Sequence, residues 1–159
     1  MRIANFTTSL IYPGVALEIW IPGCKHKCKG CFNPELWDKR NGEELKSTEI
    51  IDYISFKAKW LDTIILTGGD PLCSPIETKS LILDIRKYFP KMNLWIYTGY
   101  TKEEIYDDDE LKEIFEMCDS VVTDRYDENK PKTQLTGSNN QRIWKIEHIN
   151  GSVRLSILE

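Results

Sequence analysis

Apolar and polar positions along this chain switch between a period of two and a helical period. Val15 to Ile21 (VALEIWI) alternates imperfectly and is rich in β-forming residues, which predicts a strand. Thr63 to Leu66 reads as a short buried strand, Met92 to Thr98 as another and Ser120 to Thr123 as a fourth. Helical stretches fall between them. Ser47 can cap a helix reaching about Lys59, with Ile50, Ile51, Ile54 and Ala58 on one side. Ser74-Pro75-Ile76-Glu77 joins a capping box to a proline at the first helical position, opening a helix that Pro90 stops after Phe89. Thr101-Lys102-Glu103-Glu104 is a second capping box, heading a helical region to Met117 with a break around Asp107 to Asp109. Arg142 to Ile146 and Val153 to Ile157 are the final expected strands, while 35–44 and 124–132 are polar and irregular.

Strands alternating with helices imply an α/β fold with a largely parallel sheet and right-handed crossovers. The chain is too short for a full eight-fold barrel, so an open, partial (β/α) barrel fits. No repeat, low-complexity tract or linker divides residues 1–159, and a single domain is expected.

Composition narrows the function. A net charge of -4 argues against a nucleic-acid partner, which usually needs a basic face. No apolar run is long enough for a membrane span, and Met1 to Thr7 lacks the apolar core of a signal peptide, so a cytoplasmic protein is expected. In that compartment five cysteines are ligands or free thiols more readily than disulfides.

Three of the five lie together. Cys24, Cys28 and Cys31 follow a C-x₃-C-x₂-C spacing in a loop marked by Gly23, Gly30, Pro22 and Pro34. Thiolates select zinc or iron–sulfur clusters over hard cations. A closed zinc site needs four ligands, and an ordinary cubane cluster takes four cysteines. Three without an obvious fourth suggest a [4Fe-4S] cluster with one iron left open for a small molecule. The zinc alternative would be completed by His26, Cys73 or Cys118, although His26 sits between two ligands in a short loop. Cys118 reads as a small buried residue at a helix end, and Cys73 is read the same way although it directly follows a glycine motif. That motif, Gly68-Gly69-Asp70, follows the second expected strand, and Tyr97-Thr98-Gly99-Tyr100 follows the third. Parallel β/α folds gather their sites at such strand ends, so cluster loop and glycines should meet on one face. Gly68 and Gly69 would let backbone approach a ligand closely.

The cysteine spacing is the signature of the radical S-adenosylmethionine superfamily, which this sequence resembles. Residues 24–38 (CKHKCKGCFNPELWD), 66–72 (LTGGDPL), 97–101 (YTGYT) and 135–142 (LTGSNNQR) are similar to the activating enzymes of anaerobic (class III) ribonucleotide reductases. The resemblance implies that S-adenosylmethionine chelates the open iron through its amino and carboxylate groups. It then implies that the Gly68 and Gly69 carbonyls accept from the methionine ammonium, that Asp70 helps neutralise it, and that Gly30, Phe32, Asn33 and Thr98 complete the cofactor site. Phe32 would pack on adenine or shield the cluster, and Asn33 would hydrogen-bond the adenosyl group. One-electron cleavage of the cofactor would give a 5′-deoxyadenosyl radical that takes hydrogen from a glycine of the large subunit of the reductase. A low-potential electron donor such as a flavodoxin is implied as a second partner. Lys25, Lys27, Lys29, Lys39 and Arg40 could steer it if it is acidic. An activator of another glycyl-radical enzyme, a radical enzyme with a small-molecule substrate, and a zinc-binding structural module are the alternatives.

The sequence departs from those relatives twice. Where they often carry Asn-Gly-Pro-Gly before an arginine, residues 11–16 read Ile-Tyr-Pro-Gly-Val-Ala. Where they tend to carry Asp-Gly-Arg, the chain has Thr123-Asp124-Arg125, so Arg125 could keep its role in a turn without its glycine.

Overall fold

In the computed structural model, which describes residues 1–11 and 14–158, the chain enters through β1 (Arg2–Ile3) and β2 (Asn5–Ile11). Then come β3 (Gly14–Ile21), β4 (Glu43–Glu44), α1 (Ser47–Lys57), β5 (Thr63–Gly68), α2 (Pro75–Tyr88) and β6 (Asn93–Tyr97). The chain continues with α3 (Lys102–Tyr106), α4 (Asp109–Glu116), β7 (Ser120–Thr123), β8 (Arg142–Ile149) and β9 (Ser152–Leu158). Seven strands form one open sheet in the order β2-β3-β5-β6-β7-β8-β9, and β1 pairs separately with β4.

The fold is therefore mixed α/β. Its centre, β3-β5-β6-β7, is parallel throughout, as the alternation of strands and helices predicts. Antiparallel pairings close both flanks, β2 on β3 at one side and β8 and β9 at the other. β2 has no counterpart among the strands that the hydrophobic pattern predicts. The Thr7 and Ser9 hydroxyls of β2 donate to the Glu18 carboxylate on β3. Partners of that kind are set by pairing register and leave no trace in hydrophobic period.

Register explains the layers. Ile19, Leu66, Ile96, Val121 and Trp144 are successive partners across the sheet and share one face. Onto that face pack Ile50, Ile51 and Ile54 of α1, Leu81, Ile82 and Ile85 of α2, Ile105 of α3, and Leu111, Ile114 and Phe115 of α4. The opposite face holds a smaller cluster of Ala16, Ile65, Trp95, Val122 and Ile143, joined by Leu135 from the segment after β7. So the helices cover one side, and the other side is left for a loop and a pocket.

Helix ends follow the sequence in part. Thr101 and Glu104 form the expected capping box, with Thr101 Oγ1 accepting from the Glu104 N–H and the Glu104 carboxylate from the Thr101 N–H. The expected break is real: α3 ends at Tyr106, and Asp108 caps α4 by accepting from the Glu110 and Leu111 N–H groups. Ser74 is the N-cap of α2 without a side-chain cap bond. Thr78 instead ties that turn down, its hydroxyl donating to the Pro71 carbonyl. The cap of α1 is Lys46 and not Ser47, with Glu49 accepting from the Lys46 N–H. Tyr12 and Pro13, at the centre of the first departure from the relatives, lie outside the described residues.

Candidate functional site

The loop after β3 and the turn after β5 are joined by their backbones. The Gly23 N–H donates to the Leu36 carbonyl and Cys24 N–H to that of Trp37, while the Gly69 and Asp70 N–H groups donate to the carbonyls of Ile21 and Gly23. Gly68 holds φ at 111°, and a Cβ there would lie 2.7 Å from the Ile21 nitrogen. A Cβ on Gly69 would lie 2.6 Å from the Gly23 oxygen and 2.7 Å from the Leu36 oxygen. These contacts are with backbone, which cannot swing aside. The glycines thus permit close approach of the two loops, a role that the sequence reading gave only to a ligand.

Side chains reinforce the junction. His26 Nε2 lies 2.8 Å from Asp70 Oδ2, and both side chains are buried, at 3% and 1% exposure. The same carboxylate accepts from the Thr98 hydroxyl and the Gly99 N–H through Oδ2, and from the Leu72 N–H through Oδ1. Asp70 therefore spans three strand ends and spends its lone pairs on protein. Gly99 is needed because a Cβ there would lie 2.6 Å from His26 Cδ2. The His26 ring stands edge-on to Tyr100, with centroids 4.8 Å apart.

Backbone N–H groups point at the cysteine sulfurs. The Asn33 N–H donates to Cys31 Sγ at 3.4 Å. Cys24 receives a hydrogen bond from the Cys73 thiol and backbone donors from His26 and Lys27, and its thiol is lowered to about 6. Cys28 receives the Tyr126 N–H, but desolvation outweighs this and raises its thiol above the usual range. Cys73 is raised as the partner that keeps its proton beside Cys24. It is thus part of the site's surroundings and not the independent buried residue expected. Cys118 is one, buried with its sulfur against the Ile114 carbonyl.

Zinc and a cluster make different demands on such a set. Zinc at ~2.3 Å from each sulfur would hold ligand atoms roughly 3.8 Å apart. Among the described residues, the set of three ligand atoms within 4.8 Å of one another is His26, Asp70 and Cys73. The three sulfurs of the triplet are not all within 4.8 Å of one another, which disfavours a single ion and leaves room for a multi-iron cluster. Within the tighter set, His26 and Asp70 are bonded directly to each other, which leaves no gap for an ion. The residues present fit an iron–sulfur cluster.

A pocket opens at these strand ends. It is lined by the three cysteines, Phe32, Asn33, Gly68, Gly69 and Thr98, so most of the candidate residues come together. Asp70 and Gly30 are outside the lining. Gly30 adopts φ 70°, and a Cβ there would collide with Glu128, whose carboxylate holds Lys29 at 2.6 Å. Sequence reasoning did not pick out Trp37, Asp124 and Tyr126, which also line the pocket. Phe32 is 65% exposed at the rim, with its ring 4.9 Å from that of Tyr126.

The Gly137-Gln141 segment is a built part of this wall. Ser138 is fully buried and its hydroxyl accepts from the Asp127 N–H. Asn140 and Gln141 donate to the carbonyls of Arg125 and Asp124. The turn without its glycine is kept by strain: Asp124 takes φ 79°, and the Arg125 guanidinium reaches Glu104 at 2.7 Å.

Residues 12–144 match a family described as a 4Fe-4S single cluster domain. An anaerobic ribonucleoside-triphosphate reductase-activating protein of Enterobacteria phage T4 is 34% identical over 136 residues, covering 83% of this chain and 85% of the relative. The chain belongs to this family of activating proteins. Proteins of the same name from Pasteurella multocida and Escherichia coli K12 are 28% and 26% identical, each match covering 84% of this chain and about nine-tenths of the relative. The stretch that this family model matches contains the triplet, the glycine turn and the late wall of the pocket.

Proposed function

We propose that this chain is a radical S-adenosylmethionine activase that generates the glycyl radical on the large subunit of an anaerobic ribonucleotide reductase. The observation that carries this reading is the triplet itself. Its three sulfurs take backbone donors, are not all within 4.8 Å of one another, and line one pocket with the Gly68-Gly69 turn. A reductase as protein substrate follows from the names that the relatives carry. We read the sheet, with its helices on one face and both edge strands unpaired to each other, as an open partial barrel of the radical S-adenosylmethionine type.

Cys24, Cys28 and Cys31 would hold three irons of a [4Fe-4S] cluster. With S-adenosylmethionine bound beside it, the reduced cluster would supply one electron for cleavage to methionine and a 5′-deoxyadenosyl radical. The chain's part is orientation and exclusion of water. The Gly68 and Gly69 carbonyls would accept from the methionine ammonium, Asn33 would bind the adenosyl group, and Phe32 would close the rim. Thr98 would line the wall while its hydroxyl stays on Asp70. Asp70 and Gly30 would act from behind it by fixing the loops. Among the described residues no helix is long and apolar enough to cross a membrane, and we place the reaction in the cytoplasm.

The low-potential donor would dock at the cluster loop. Lys29 and Arg40 are paired with Glu128 and Asp38, and Lys25 lies over the Tyr100 ring. That leaves Lys27 and Lys39 as the outward charges that would steer it.

The test mixes reduced, cluster-loaded protein with S-adenosylmethionine and a class III reductase large subunit. A glycyl radical signal on the reductase, with methionine and 5′-deoxyadenosine released, is expected. Cofactor cleavage without that radical would move the assignment to another glycyl-radical enzyme or to a small-molecule substrate.

A further inference from the structure

The pocket wall of the described residues contains one carboxylate, that of Asp124. Asp70, the acidic residue expected to meet the cofactor's positive charge, lies behind the wall with its oxygens taken by Leu72, Thr98, Gly99 and His26. We propose that Asp124 provides the counter-charge for the sulfonium cation of S-adenosylmethionine, an inference that rests on the function proposed above.

Asp124 is held in place from several sides. Its N–H donates to the Tyr100 carbonyl at 2.9 Å, and its own carbonyl accepts from Gln141 Nε2 at 3.1 Å. The Trp144 indole N–H donates to Thr123 Oγ1, whose hydroxyl donates in turn to Asp124 Oδ2 at 2.8 Å. That relay fixes the carboxylate from one side, and among the described residues no donor reaches Oδ1. No Lys, Arg or His nitrogen among the described residues lies within 4.0 Å of it, and the neighbouring Arg125 is engaged by Glu104.

The backbone points the same way. Asp124 keeps φ at 79°, a conformation that glycine adopts without cost and that other residues hold only when the surroundings enforce it. A glycine would hold this φ without cost, so the carboxylate sits here at a local conformational cost. Its charge meets the chemistry of the ligand. S-adenosylmethionine carries an ammonium, a carboxylate and a sulfonium. In the function proposed above the open iron would take the unprotonated amino group and the carboxylate, and the glycine carbonyls would accept the amino N–H groups, which would leave the sulfonium without a partner. The lining brings no Lys or Arg, and the Arg125 guanidinium, which feels the Asp124 charge, is bonded to Glu104 instead.

The test is equilibrium binding of S-adenosylmethionine and of uncharged-sulfur S-adenosylhomocysteine to anaerobic, cluster-loaded protein. Wild type, Asp124→Asn and Asp124→Gly are compared, the last relieving the backbone so that misfolding cannot mimic the effect. Both variants should bind S-adenosylmethionine about tenfold more weakly and S-adenosylhomocysteine within about twofold of wild type. Equal weakening of both ligands, or of neither, overturns the proposal. Wild-type protein that binds no S-adenosylmethionine would instead overturn the function on which it rests.

Discussion

His26 Nε2 and Asp70 Oδ2 lie 2.8 Å apart, and this contact joins the cluster loop to the glycine turn across 44 residues of sequence. With one end between two cysteines and the other touching Thr98 and Gly99, it sets the relative position of three strand ends. Replacing Asp70 by Ala strips four donors of their acceptor in a buried site, which should cost about 3 kcal/mol. Asp70→Ala and His26→Ala should both melt at lower temperature and retain less iron per chain after anaerobic purification. A variant with full iron content and unchanged melting would show that the contact does not position the loops.

Cys28 and Cys73 should part company. Cys28→Ala removes a proposed iron ligand and should give protein that cannot hold a four-iron cluster. Cys73→Ser keeps a donor beside Cys24 and should hold the cluster with nearly wild-type absorbance. Iron and sulfide analysis of the two variants checks this, and loss of metal from both would put Cys73 among the ligands.

An acid-sensitive contact lies at the start of α3. The Arg125 guanidinium and the Thr101 N–H hold the Glu104 carboxyl down from the ordinary 4.5 to about 2. A lowered carboxyl contributes stability above its unfolded value and loses it as pH falls toward the folded one. The loss therefore falls between pH 4.5 and about 2. The Glu104 side chain is 42% exposed, so screening limits the contribution to about 1 kcal/mol. Thermal unfolding of wild type should decline more steeply over that window than that of Glu104→Gln, and parallel curves would remove the contact from the account.

Reduction by an acidic protein donor should slow several-fold between about 0.05 and about 0.5 M salt, because screening shortens the reach of Lys27 and Lys39. Lys27→Glu should slow it at low salt, with a small uncharged reductant unaffected. Stopped-flow reduction rates that ignore both salt and substitution would leave those lysines as a solvated face.

The parallel centre was legible because β3, β5, β6 and β7 each combine β-forming residues with turn or cap signals at their ends. The cysteine spacing and the Gly-Gly turn were legible because ligand count and backbone freedom are written in short stretches. What stayed hidden were partners fixed by register. Thr7 and Ser9 bond Glu18 only once β2 is in place. Asp70 reads as a ligand for a cation until His26, Thr98 and Gly99 are seen around it. For Asp124 there was a signal: a glycine was expected at that turn, and its replacement by an acidic residue marked the position.

The most direct test of the central claim is electron paramagnetic resonance of anaerobic, chemically reduced protein before and after S-adenosylmethionine is added. A reduced [4Fe-4S] signal whose shape changes on addition is expected, since the cofactor would bind the open iron. A cluster signal that does not respond would contradict cofactor binding at Gly68 and Gly69, and zinc without iron would contradict the cluster itself.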